Sequence, residues 1–140
     1  MANAAVDVGT GATIAFATSS IAVNMTSLSL GQHTIPIVDT THLGSTGFRT
    51  MMGGDLKTPG EVTCEFIWDN EAGPAVTATA ETVTITFPTA VANTTSAATY
   101  VGTGIVSKVV YPTLGIDELQ TGSLTVTWNG GTGPTYTNGV

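Results

Sequence analysis

Apolar residues alternate with polar ones in several short segments, and this period of two constrains the fold more than any other feature. The clearest case is the segment EVTCEFIWD, residues 61–69. In an extended strand, alternate side chains point to the same face. The pattern therefore predicts a half-buried strand. Its inward residues are Val62, Cys64, Phe66 and Trp68, and its outward residues include Glu61, Thr63 and Glu65.

Similar segments at 12–18, 21–30, 33–40, 82–87, 99–111 and 123–129 predict further strands. Thr and Val favour strands, and the 17 glycines favour turns. About seven or eight short alternating strands indicate a mainly β fold, either a β-sandwich or an open barrel. We expect one domain over residues 1–140, with at most one short helix, near 71–80 or 116–120.

Four local signals refine this expectation. The apolar phase changes between Met25 and Leu28, which predicts a β-bulge. Pro36 has no backbone N–H, so its strand should lie at an edge or a bulge. Gly102 and Gly104, inside the longest strand, predict a bend or a close backbone approach. Residues 1–11 are small and predict an N-terminal arm or a first edge strand.

Residues 41–60 form a connection far longer than a hairpin turn, since hairpin loops have about two to five residues. The surrounding sequence, DTTHLGSTGFRTMMGGDLKTPGE, is too apolar for a solvated linker. Two interpretations stay open here: an Ω-loop folded back on its own domain, or an arm that docks on another subunit. The candidate contact residues are Leu43, Phe48, Arg49, Met51, Met52, Asp55, Leu56 and Lys57.

The charge composition favours a protein that functions as part of an assembly. Only 9% of residues are charged, which protects a monomer poorly from self-association. The net charge of −7 argues against binding nucleic acid through its phosphates. No Lys or Arg precedes Arg49, and no apolar run has membrane length, so we expect synthesis and folding in the cytoplasm.

No constellation of residues predicts catalysis, a metal site or a cofactor. His33, His42 and Cys64 lack the spacing of a zinc site, and both histidines are expected to form surface or loop hydrogen bonds. Asp117 and Glu118 are adjacent in a predicted turn, where two carboxylates seldom converge on one bond. Cys64 is the single cysteine, which excludes an intrachain disulfide and predicts a small buried side chain.

The order of several segments carries a family resemblance. DTTHL, GFRT and GGDLKTPGE in the long connection are followed by ETVTITFP, GTGIVSK, LGIDELQ, TGSLTVTWNG and a short Thr-rich tail. From about residue 34 to 137, this order resembles the major tail tube proteins of long-tailed, non-contractile (siphovirus-type) bacteriophages.

The resemblance implies a structural virion protein and not an enzyme. It implies a β-sandwich with at least one short helix, although no long amphipathic helical pattern occurs in this sequence. It also implies six-fold rings in which neighbouring subunits close an inner barrel, stacked into the tube that conducts the genome to the host. The implied location is the virion tail tube, assembled in the host cytoplasm.

The implied partners are other copies of the chain and, at the tube ends, the tape measure, tail terminator and distal tail proteins. DNA would pass through without specific binding, and no membrane insertion is implied. Glu61, Thr63 and Glu65 are the candidate lumen-facing residues. Arg49 is expected to bind Asp55 or an acidic residue of the next ring. The alternative function is a secreted bacterial β-sandwich adhesin or glycan-binding module.

Overall fold

Nine β-strands make up the regular structure of the computed structural model, which describes residues 9–18, 24–71, 73–88, 96–129 and 133–140. Those ranges contain no helix. The strands are β1 (Thr13–Phe16), β2 (Asn24–Ser29), β3 (Ile37–Asp39), β4 (Met51–Gly53), β5 (Glu61–Ile67), β6 (Glu81–Thr86), β7 (Thr99–Val110), β8 (Thr121–Trp128) and β9 (Thr135–Thr137). The mainly β prediction is confirmed.

Seven strands form one antiparallel sheet in the order β1-β6-β7-β8-β5-β2, with β9 also paired to β7. β8 pairs with β7 from Val110 back to Gly104, and β9 pairs with the same strand from Val101 to Thr99. β8 and β9 therefore lie in line along one edge of β7. The remaining strands, β3 and β4, form a separate two-stranded sheet.

The core lies on one face of the large sheet and is built from alternate residues, as the sequence predicts. Val62 and Cys64 of β5 lie opposite Val126 and Leu124 of β8, and all four are fully buried. The other buried members of the cluster are Phe16, Phe66, Val83, Ile85, Tyr100, Val106 and Trp128. Trp68 and Phe87, predicted to face inward, are partly buried against this cluster. Burial raises the pKa of the Cys64 thiol to about 11, so the thiol is protonated at neutral pH.

The sheet curls until its two end strands approach each other. A cavity of about 600 Å³ is lined on one side by residues 9–12, which lead into β1, and on the other by residues of β2. Ile85, Phe87 and Pro88 form its floor. Because β1 and β2 are the first and last strands of the sheet, the cavity that they share indicates an open barrel with its gap between them.

The predicted close approach at Gly102 and Gly104 is confirmed. A Cβ atom on Gly104 would lie 2.5 Å from Val126 Cγ1, and one on Gly102 would lie 3.0 Å from the Trp128 ring. The predicted bulge in β2 is also confirmed, between Met25 and Ser27. β7 has a second bulge, between Val106 and Lys108, that the sequence analysis missed.

Neither candidate helix forms among the described residues. Residues 73–80 run as an irregular segment with a bend, and residues 116 and 117 form a turn. Asp117 has a φ of 59°, a left-handed conformation that ends any right-handed helix. The helix implied by the family resemblance is therefore absent from this part of the chain. Of the predicted N-terminal arm, residues 1–8 lie outside the described ranges, as do residues 19–23.

Candidate assembly interface

The long connection is a β-hairpin, and not the irregular loop that its length predicted. Ile37 to Asp39 pair with Gly53 to Met51, and backbone hydrogen bonds extend the ladder in both directions. Thr40 N donates to Thr50 O at 2.9 Å, and Gly54 N donates to Pro36 O at 2.7 Å. Thr34 and Thr58 form the outermost bridge. We call residues 34–58 the arm.

The returning strand of the arm contains a bulge. From the Pro36–Gly54 pair to the Thr34–Thr58 pair the chain advances by two residues on one strand (36 − 34) and by four on the other (58 − 54). Residues 55–57 therefore lie opposite the single residue Ile35, and the returning strand contains two more residues than its partner. This places Leu56 on the surface, where it is exposed. The predicted edge or bulge at Pro36 is thus confirmed.

Both faces of the arm expose large apolar side chains. Directly opposite residues of an antiparallel pair share a face, so Val38 lies with Met52 on one face and Met51 lies on the other. All three are exposed, and Phe48 near the tip is 92% exposed. Ile35, Ile37, Leu43 and Leu56 are exposed as well. The Ω-loop interpretation is wrong for the part of the chain that the structure describes, because these side chains do not pack on any described part of their own domain.

An exposed two-stranded ribbon is at best marginally stable in water. This arm also carries apolar side chains on both faces, which favours burial against another surface. Docking on a second subunit stays a prediction, and the arm has the shape and composition that it requires.

Arg49 binds Asp39 across the arm and not Asp55, which corrects the pairing expected within the chain, whereas a pairing with an acidic residue of the next ring stays a prediction. The Arg49 Nη1 to Asp39 Oδ2 distance is 3.3 Å, and both side chains are well exposed. Asp39 is paired with Met51 and shares its face of the arm. Arg49 precedes Met51 by two residues and therefore lies on that same face, whereas Asp55 lies in the bulge. Hydrogen bonds from the Thr41 side chain and amide, with a smaller one from Arg49, lower the pKa of Asp39.

A hydrogen-bonded turn fixes the tip of the arm. Ser45 N donates to His42 O at 2.9 Å, and His42 N donates to Ser45 Oγ at 3.1 Å. Gly47 has a φ of 80°, which favours glycine. His42 is therefore a loop hydrogen-bonding residue, as predicted.

The root of the arm depends on two glycines that the sequence analysis did not single out. A Cβ atom on Gly31 would lie 2.5 Å from Glu61 O, and one on Gly60 would lie 2.6 Å from Gln32 N. The outgoing and returning chains thus touch backbone to backbone. Next to this crossing, His33 Nε2 lies 2.6 Å from the hydroxyl of Tyr100 and ties the root to β7.

The three candidate lumen residues share the outward face of β5. Their partners on β8 are Thr127 for Glu61, Thr125 for Thr63 and Ser123 for Glu65. The same face extends over β2, where Ser27 Oγ donates to Glu65 Oε2 at 3.1 Å. It is a surface of hydroxyl groups with two carboxylates. Whether it faces a lumen stays a prediction.

A second exposed apolar surface lies in the connection between β7 and β8, residues 111–120, which we call the β7–β8 loop. Its exposed large side chains are Tyr111, Leu114, Ile116 and Leu119. Trp68 anchors it, since Trp68 N donates to Gln120 O at 2.9 Å and its ring packs against Tyr111. The sequence analysis missed this surface. The available signal was the three large aliphatic residues Leu114, Ile116 and Leu119, together with Tyr111, in a segment without strand alternation.

No group of three His, Cys, Asp or Glu residues in the described ranges is placed to hold a metal ion. Within those ranges there is also no helix of the length and apolarity needed to cross a membrane.

Comparison with known proteins finds similarity in structure only. No family model matches the chain, and no curated protein matches it. Among solved structures, a similar one is the sheath/tube terminator of an extracellular contractile injection system (PVC) in the extended state. The superposition has a TM-score of 0.68 and covers 96% of this chain and 99% of the terminator, at 9% sequence identity. The two chains share a fold. At this identity the likeness extends to the fold alone.

Proposed function

We propose that this chain is a structural protein of a phage-type tail. Its copies associate into rings, and the rings stack into the tube that conducts the genome. The observation that carries the proposal is the arm, a hairpin whose apolar side chains have no partner surface among the described residues of their own domain. The role is structural and requires no cofactor.

Two further observations support a structural role. The open-barrel fold is shared, over nearly the full length of both chains, with a terminator of an injection-system tube. The low charge content fits a surface that is largely covered by neighbouring copies. In this proposal the protein resides in the virion tail and meets the tape measure, terminator and distal tail proteins at the tube ends.

The outward face of β5 supplies the wall of the conduit in this proposal. Glu61 and Glu65 carry negative charge, and the Thr and Ser side chains between them offer neutral hydroxyl groups. Such a wall repels phosphates and leaves DNA free to slide, whereas a cationic wall would hold it.

A second candidate function, the tail terminator itself, is favoured by the structural comparison. The similar solved structure is a sheath/tube terminator. A terminator would form one ring at the end of a tube, whereas a tube protein adds ring upon ring. The two functions therefore differ in whether the purified protein elongates.

Negative-stain electron microscopy of the purified full chain over a range of concentrations tests the proposal. Tubes of stacked rings support the tube function, and single rings that do not elongate support the terminator function. Dispersed particles of monomer size at every concentration would contradict both and favour the adhesin or glycan-binding alternative.

A further inference from the structure

The arm and the β7–β8 loop lie at opposite ends of the large sheet. The arm leaves and rejoins the sheet at Leu30 and Glu61, and Glu61 is paired with Thr127 at one end of β8. At the other end Ile67 is paired with Thr121, directly after the β7–β8 loop. Each copy therefore presents one exposed apolar surface at each end.

The two surfaces differ in charge, since the arm carries two basic and two acidic residues whereas the β7–β8 loop carries two acidic residues and no basic one. The basic residues of the arm are Arg49 and Lys57, and its acidic residues are Asp39 and Asp55. The acidic residues of the β7–β8 loop are Asp117 and Glu118. The salt bridge found within the described ranges joins Arg49 to Asp39. Lys57, Asp117 and Glu118 thus have no charged partner in that part of the chain.

The β7–β8 loop has a defined shape. Asp117 adopts a φ of 59°, and the Glu118 carboxylate lies against Gly115, where a side chain would collide with it. This tight turn leaves Ile116 at its tip, 93% exposed. The loop therefore presents an exposed apolar side chain beside two carboxylates, and the arm presents exposed apolar side chains beside Lys57.

We infer that the arm of one copy docks on the β7–β8 loop of a second copy. This inference rests on the proposed function and names the surface that receives the arm. Because the two surfaces differ and lie at opposite ends, the contact is heterologous and can repeat without closing, which generates a filament. Lys57 meets the acidic pair of the receiving loop.

Three variants that each place one aspartate at an exposed apolar position test the inference. Phe48→Asp alters the arm, Ile116→Asp alters the loop, and Val76→Asp is the matched control outside both surfaces. We expect the first two to raise the concentration needed for stacking by more than about tenfold, because every subunit of a ring repeats the lost contact. The control should stay within about twofold of the original protein. Circular dichroism verifies that each variant folds.

Mixing the two defective variants separates a heterologous contact from a symmetric one. Phe48→Asp retains an intact loop and Ile116→Asp an intact arm, so the mixture should form pairs of rings that do not elongate. If Ile116→Asp stacks as well as Val76→Asp, the inference is overturned and the proposed function survives. If the original protein does not associate at all, both are overturned.

A charge exchange gives a second test that does not alter apolar residues. Lys57→Glu and Glu118→Lys should each weaken stacking, and the double variant should recover part of the loss. If the double variant stacks no better than the single variant that stacks less well, the proposed pairing is contradicted.

Discussion

Single core side chains should control the stability of the domain. Phe66 is 1% exposed and Trp128 is 5% exposed. Replacing a buried Phe or Trp by Ala costs about 3–5 kcal/mol, a large part of the roughly 5–15 kcal/mol that stabilises a domain. We therefore expect Phe66→Ala and Trp128→Ala to lower the free energy of unfolding by that amount, measured with denaturant. The exposed Val76→Ala is the control, and equal stabilities would contradict the assignment of the inward face.

The inward residues of β5, β6 and β8 could be predicted because period-two alternation alone fixes their face. The partner of Arg49 could not be predicted. That pairing depends on the register of the arm, and Asp39 and Asp55 both lie within reach in sequence. The register is set by the ladder between β3 and β4, which is only three residues long on each side.

At the scale of elements, the glycine crossing at the root should set the direction of the arm. A Cβ atom on Gly60 would collide with backbone atoms of Gln32, and backbone cannot move aside as a flexible side chain can. We expect Gly60→Ala to cost about 1–3 kcal/mol and to weaken assembly. Gly9→Ala is the control, because a Cβ atom there meets open space. Equal stability and assembly of the two variants would show that the crossing is unimportant.

The long strands could be predicted from the sequence, and the hairpin of the arm could not. β3 lies within the predicted strand 33–40, but β4 has only three residues, too few for alternation to be recognised, and Gly53 and Gly54 interrupt its apolar pattern. The prediction of a helix near 116–120 was wrong because Asp117 adopts a left-handed backbone conformation, which cannot be inferred from the residue type alone.

At the scale of the whole molecule, the net charge of −7 predicts that the assembled protein does not retain DNA. Fluorescence anisotropy with labelled double-stranded DNA at about 50 mM salt should show no binding, since phosphate contacts are strongest at low salt. Salt-sensitive binding by the original protein, or a pore lined mainly by Lys57 and Lys108, would contradict the proposed wall.

The strand order that closes the barrel could not be predicted from the sequence. The strand order β1-β6-β7-β8-β5-β2 brings together segments that are far apart in the chain. Alternation shows which side chains face a core but not which strands are neighbours. The separation of the arm from the β7–β8 loop follows from that order, and so it too needed the structure.

Replacing residues 44–56 with a short Gly-Ser linker tests the central claim most directly. The arm packs on no part of the described core, so the variant should keep the circular dichroism spectrum and unfolding midpoint of the original protein. Under the electron microscope it should form no tubes under conditions in which the original protein does. Normal tubes from this variant, or a variant that does not fold, would contradict the account.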